Sequence, residues 1–256
     1  MAGASADGEP IVAAILDLDG VVTRTATIHE AAWREAFERA LARLGREPRF
    51  TSEDYRRYVD GKPRYDGARD FLAARGVALP YGTPGDPAGY GSVCAIANLK
   101  TVLFDERLRE GGVEVFEDAR ESLAAWRAAG LRTALVSSSR HAKPILEAAG
   151  LEACFDARVD GAVGAELGLP GKPAPDYFLE AARRVGTPPS RAMVVEDAAS
   201  GVEAGRRGGF GLVIGVARHG DEARLRAAGA DRVVRALTEI GARPVARARA
   251  AEQHPS

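Results

Sequence analysis

The chain opens on a short apolar run, Ile11–Leu18 (IVAAILDL), that ends in acidic residues and Gly20. A continuous apolar stretch of this length predicts a buried strand of a parallel sheet. From Thr27 to Leu44 the rhythm turns helical, with Ile28, Ala32, Phe37, Ala40, Leu41 and Leu44 on one apolar stripe. Further helices are predicted over Ser52–Val59, Asp66–Arg75 and Val93–Arg109, the second ending at Gly76 in C-cap position. Between the last two, Pro80–Gly91 reads as a Pro- and Gly-rich loop. This whole block contains no convincing strand.

After Gly112 strand and helix patterns alternate. Helices are predicted over Ala119–Ala129, Ala142–Ala149, Pro175–Val185 and Gly201–Arg207. Strands are predicted over Arg132–Ser137, Ala157–Val159, Ala192–Glu196 and Gly211–Val216, with a last helix and edge strand reaching Val234. Such alternation predicts an α/β fold: a doubly wound, Rossmann-like parallel sheet with helices on both faces. A small helical cap of roughly eighty residues is inserted after the first strand. The expected division is core 11–24 and 110–238, cap 25–109, a disordered tail 1–10 and a flexible C-terminal tail 239–256.

Composition narrows the partners. With 256 residues, 46% hydrophobic and 28% charged, the chain can bury a core and carry a soluble surface. A net charge of -1 gives no reason to expect nucleic acid or an anionic membrane. No apolar run reaches membrane-spanning length, and MAGASADGEP lacks the regions of a secretory signal. Two cysteines, Cys94 and Cys154, argue against a disulfide framework, so a reducing cytoplasm is the expected setting, and the chain is expected to be a monomer. Only four of the 35 basic residues are lysines: Lys62, Lys100, Lys143 and Lys172. In so Arg-biased a chain, a retained lysine hints at a need for a compact ammonium.

Four motifs fall at predicted strand ends. Asp17-Leu18-Asp19-Gly20 closes the first strand, where alternation places both acids on one side. Paired carboxylates there invite a cation, and one of them can serve as nucleophile while the other handles a proton. They could equally cap the next turn. Ser137, in LVSSSR, offers a hydroxyl and free N–H groups suited to a phosphate oxygen, or simply an N-cap within Ser137–Ser139. Lys172, in GKPAPD, can neutralise a phosphate, or be a solvated loop lysine. Glu196 and Asp197, in VVEDAASG, supply hard oxygen ligands, or a helix N-terminal acid pair. One sheet would gather all four into the crevice at its carboxyl edge.

The order DxDG, Ser, Lys, Glu-Asp resembles the haloacid-dehalogenase superfamily over about residues 11 to 235. The resemblance implies that Asp17 accepts a phosphoryl group as an aspartyl phosphate and that Asp19 is the general acid/base. It implies Mg2+ held by Asp17, the Asp19 main-chain carbonyl and Asp197, with Glu196 close by, and Ser137, Ser138 and Lys172 around the transferring phosphoryl group. LDLDGVVTRTATIHEAAW is similar to the β-phosphoglucomutase branch, where Thr25, His29 and Trp33 match in type and spacing. In that branch the His couples cap closure to placement of the acid/base. From the residues alone, His29 reads as a surface helix residue and Trp33 as a cap-core anchor. DGKPRYDGARDFLAARG resembles the cap segment carrying a phosphate-clamping Arg, which falls on Arg64, and Lys100 matches a second basic cap position. Ser139 and Arg140 complete the expected substrate contacts. Departures are Arg24 for an acid, Asp60 for a lysine, the run around Lys100, and Phe116–Asp118 for an aromatic-Pro-Gly turn. A sugar-phosphate mutase acting on a small-molecule substrate is the expected function, with a sugar-phosphate phosphatase as the alternative.

Overall fold

Strand β1, Ala13–Asp17, shows why an apolar run without alternation becomes a central strand. Ala13 and Ile15 point into one hydrophobic layer, Ala14 and Leu16 into another, and all four are fully buried. Burial on both faces removes the need for polar positions. The computed structural model describes residues 9–218 and 220–246.

The sheet has six parallel strands in the order β3-β2-β1-β4-β5-β6, with β2 at Arg132–Val136, β3 at Ala157–Val159, β4 at Ala192–Glu196, β5 at Leu212–Val216 and β6 at Arg232–Val234. From β1 the chain winds outward through β2 and β3, then crosses back to β4 beside β1 and winds the other way. That reversal is a topological switch point, where such sheets form a crevice beyond their carboxyl ends. Asp17 and Glu196 end the two strands that flank it, and Ser137 follows the third strand of the group. Helices α5 (Glu117–Ala128), α6 (Ala142–Ala149), α7 (Gly161–Leu167), α8 (Asp176–Arg184), α9 (Ala199–Arg207) and α10 (Glu222–Ala227) belong to this half. Helix α7 was not expected: its glycines disguise it. Asp160 starts it by accepting from the backbone N–H groups of Ala162 and Val163 at 3.0 and 3.1 Å.

Between β1 and α5 lie α1 (Ala26–Arg43), α2 (Ser52–Asp54), a π-helical turn at Tyr55–Val59, α3 (Arg64–Ala74) and α4 (Val93–Gly111). They close on a core of their own, in which Phe37 meets Trp33, Phe50 and Phe71 at ring separations of 4.8, 5.2 and 4.3 Å. The buried stripe of α1 runs His29, Ala32, Trp33, Ala36, Phe37, Ala40, Leu41, at i, i+3 and i+4 spacing. Leu44 lies at its exposed end. Phe37 sits at the centre, so Phe37→Ala should cost about 3–5 kcal/mol. The helix predicted over Ser52–Val59 changes pitch at Tyr55, and Asp60 N–H closes the wider turn on Tyr55 O at 3.0 Å.

The expected C-terminal tail begins too early. Ile240 is buried, Trp126 Nε1 donates to Gly241 O at 2.8 Å, and Ala246 N–H donates to Glu9 O at 2.8 Å. Apolar contacts and these bonds tie residues 239–246 to α5 and to the segment leading into β1, in place of free chain. The remainder of both expected tails, 1–8 and 247–256, lies outside the described residues.

Candidate active site

Because β1 stops at Asp17, strand alternation does not govern Asp19, which lies in the turn beyond. The two carboxylates therefore have different neighbours. Asp17, 6% exposed, receives Lys172 Nζ at 2.5 Å. Lys172 reaches on to Glu196 Oε1, and Glu196 Oε2 accepts from Ala198 N–H at 2.9 Å. Both Glu196 oxygens are thus engaged, and Glu196 serves first to seat Lys172. Gly201 makes room for it: a Cβ there would stand 1.8 Å from Glu196 Oε1.

Charge follows from this count. Burial works against the Lys172 ammonium, but Asp17 and Glu196 outweigh it and hold it protonated. One ammonium does not balance the acids around it. Burial pushes Asp17 well above the usual carboxylate range, with Lys172 opposing and Glu196 and Asp19 adding to the rise. Asp197 is likewise pushed well up, by burial first and then by Asp60, Glu196 and Asp17. Oxygens of Asp17, Glu196 and Asp197 lie within 4.8 Å of one another. Hard donors, close together and short of positive charge, fit a divalent cation such as Mg2+.

Asp19 is anchored differently. Thr25 Oγ1 donates to Asp19 Oδ1, and Ser137 Oγ to Asp19 Oδ2 at 3.3 Å. His29 Nε2 lies 3.2 Å from Asp19 Oδ1. Burial would raise Asp19, but His29, Thr25 and Lys100 together bring it below the ordinary range. His29 is buried, not a surface residue, and stacks on Phe104 at 4.1 Å. Burial and then Lys100 lower its pKa, so the ring is neutral and Nδ1 accepts from Lys100 Nζ at 2.5 Å. Burial, with the like charge of Arg64 behind it, brings Lys100 down to about 7.

These groups face a cavity between the sheet edge and the cap helices. Asp17, Asp19, Glu196 and Asp197 form its acidic pole. His29, Lys62, Arg64 and Lys100 line it from the cap, and Ser138 and Ser139 from the loop after β2. Arg64 is held by Thr101 Oγ1 at 2.5 Å. Thr25, Ser137 and Lys172 stand behind the wall, in contact with Asp19 or Asp17. Arg140 is exposed and outside the lining. Ser138 bonds the cap, donating to Gly61 O at 2.8 Å.

Sequence reasoning marked Asp60 only as a departure within the cap segment, and did not assign Lys62, Tyr55, Thr101, His141 or Ser200 to this region. His141 Nε2 meets Asp105 of α4 at 3.1 Å, and Ser200 Oγ donates to Asp60 O at 3.2 Å. Lys62 and Asp60 flank the segment of Arg64, and Ser200 lies inside the Glu196–Asp197 motif. Proximity to a motif was the only signal available for them.

The model of the haloacid dehalogenase-like hydrolase family matches residues 11–209. A β-phosphoglucomutase of Mycobacterium bovis is 44% identical over 241 residues, covering 91% of this chain and 92% of that protein. A phosphorylated carbohydrates phosphatase of Thermotoga maritima is 28% identical over 208 residues, covering 80% and 84%. Among solved structures, a β-phosphoglucomutase from Clostridium difficile superposes with a TM-score of 0.72 at 22% identity, covering 90% of this chain and 93% of that one. The fold, the match along the chain and the relatives agree: this enzyme belongs to the haloacid dehalogenase-like family, in its β-phosphoglucomutase-like branch.

Proposed function

We propose that this chain is a β-phosphoglucomutase, interconverting β-glucose 1-phosphate and glucose 6-phosphate through a bisphosphate. The observation that carries the reading is a two-ended cavity: nucleophile and acid/base at one pole, Arg64 and Lys100 facing it from the cap. A bisphosphate presents one phosphate to each end. In one half-reaction Asp17 attacks phosphorus, the bond from phosphorus to the sugar oxygen breaks, and Asp19, carrying the proton it gains in the other half-reaction, delivers it to that oxygen. In the other, Asp19 takes the proton of a sugar hydroxyl, which attacks the phosphoryl group on Asp17. The resting Asp19 carboxylate, steadied by Thr25 and Ser137, is the base form this second step needs.

Lys172 and the Ser137–Ser138 turn bind the transferring group, and Arg64, with Lys100 and Ser139, binds the phosphate that stays. Asp17, Asp197 and the Asp19 main-chain carbonyl, with Glu196 beside them, would hold Mg2+, which supplies positive charge to the transferring oxygens when bound. His29 links the Lys100 ammonium of the cap to Asp19, so cap position and acid/base placement move together.

The second reading is a sugar-phosphate phosphatase with the same nucleophile, in which water clears Asp17; the likeness to the Thermotoga maritima phosphatase favours it. Purified protein, Mg2+, β-glucose 1-phosphate and a trace of the bisphosphate separate the two. Glucose 6-phosphate without free phosphate is the expected product. Phosphate release with no isomerisation gives the phosphatase, and a fully active Asp17→Asn variant overturns both.

A further inference from the structure

Two core hydroxyls hold one short piece of the cap. Ser138, after β2, donates to Gly61 O at 2.8 Å, and Ser200, in the first turn of α9, donates to Asp60 O at 3.2 Å. Gly61 has φ of +70°, and a Cβ there would stand 2.4 Å from Ser200 Oγ, so the loop sits directly on the core. Next along, a Cβ on Gly171 would stand 2.0 Å from the Pro63 ring. Arg224 of α10 donates to Arg56 O in the π-helical turn. Arg64 begins α3 one residue beyond Pro63, so this seat also fixes the Arg that faces the acidic pole.

The seat carries an electrostatic cost. Asp60 lines the same cavity as Glu196 and Asp197, and docking brings its carboxylate toward theirs. Burial and then Glu196 push Asp60 up to about 7, with Arg224 and Lys172 opposing.

We infer that Ser138 and Ser200 are positioning residues that latch the Asp60–Gly61 loop onto the core, and that a divalent cation sets this latch by screening Asp60 from Glu196 and Asp197. The inference rests on the reading of Asp17, Glu196 and Asp197 as a cation site. It gives the departure at position 60 a consequence: an acid there makes closure depend on the cation, which a lysine would not.

The Cβ positions of residues 61 and 200 lie 3.8 Å apart, the mean separation for a disulfide. A Gly61→Cys/Ser200→Cys variant in a Cys154→Ser background, oxidised with glutathione disulfide, therefore reports the docked state by mass and thiol count. Pairing should be roughly tenfold faster with Mg2+ than with EDTA, equivalent to about 1.4 kcal/mol. Adding Asp60→Asn should make pairing fast in both. Absence of pairing overturns the latch, and equal rates overturn its control by the cation. Calorimetry of Mg2+ binding separates the layers. No binding removes the cation site itself, and binding without a rate change refutes the gating alone. Because φ at Gly61 is strained for cysteine, hydrogen exchange of residues 56–63 in the unsubstituted protein gives a second reading. Mg2+ should slow exchange there, and Ser138→Ala/Ser200→Ala should remove the slowing. Unchanged exchange in either comparison overturns the proposal. The readouts are pairing and exchange, so they hold whether a sugar hydroxyl or water clears Asp17.

Discussion

Replacing Lys100 by Met should stabilise the fold near neutral pH while weakening phosphate binding. Lys100 is 7% exposed, with Nζ 5.4 and 4.7 Å from the ring centres of Trp33 and Phe104. Burial and the like charge of Arg64 lower its pKa from 10.5 to about 7. At 1.36 kcal/mol per pH unit, that fall corresponds to roughly 5 kcal/mol of destabilisation, fully developed below pH 7. The unfolded chain keeps this proton up to pH 10.5 and the folded protein only up to about 7. Between those values the unfolded state binds more protons, so this contribution makes stability rise with pH by about 1.4 kcal/mol per unit. Above 10.5 both states are neutral and the penalty is gone. Met retains the stem that packs on the two rings but leaves His29 Nδ1 without its donor, a loss of about 1–3 kcal/mol. The variant should therefore be about 2–4 kcal/mol more stable below pH 7. The difference should shrink with rising pH and vanish near about pH 9. Urea unfolding of both proteins across that range measures it. The KM for sugar phosphate should rise roughly 10- to 100-fold through loss of one charged hydrogen bond. A variant less stable in acid, or a difference that ignores pH, refutes the picture of Lys100 as a desolvated charge held for binding.

Asp19→Asn should lower kcat by roughly 10²–10⁴-fold with KM little changed, because the amide keeps hydrogen bonds but cannot carry the proton; steady-state kinetics at near-normal kcat would remove Asp19 from its role. Arg218 donates to Gly20 O and Val21 O at 3.4 and 3.2 Å, pairs with Asp118 at 2.8 Å and stacks 3.9 Å above Phe116. Arg218→Met should cost about 2–3 kcal/mol, since it strands a half-buried carboxylate and frees the turn after Asp19; an unchanged Tm contradicts this bracing. Mg2+ at about a hundred times its Kd should stabilise the protein by about 2.7 kcal/mol over EDTA in thermal unfolding. Asp197→Asn should abolish that gain, and its persistence would place the ion elsewhere.

Local pattern was enough for the elements that bury apolar surface on a fixed period. Ala13–Leu16 could only be a strand covered on both sides, and Ala32 through Leu41 only a helix with one buried face. It failed where a single polar contact decides the backbone. Helix α7 depends on the Asp160 cap, and the change of pitch at Tyr55 on how that segment meets the core. The tail from 239 looked free because nothing local shows that Trp126 waits for Gly241.

Sequence by itself determined which chemical groups stand at the ends of β1, β2 and β4, because strand-end position is a property of neighbours in the chain. It thereby named Asp17, Asp19, Ser137, Glu196 and Asp197, whereas Lys172, expected at a strand end, lies in the loop between α7 and α8 and was marked only by its Gly- and Pro-bounded loop and the scarcity of lysine. Tertiary structure decided what each of them touches. Only in the fold does Lys172 bridge Asp17 and Glu196, His29 stand between Lys100 and Asp19, and Asp60 come to face Glu196 and Asp197. The reason is physical: proton affinity and Coulomb energy depend on distance and burial across the cavity, and residues 71 or 155 positions apart share those only after the chain has folded.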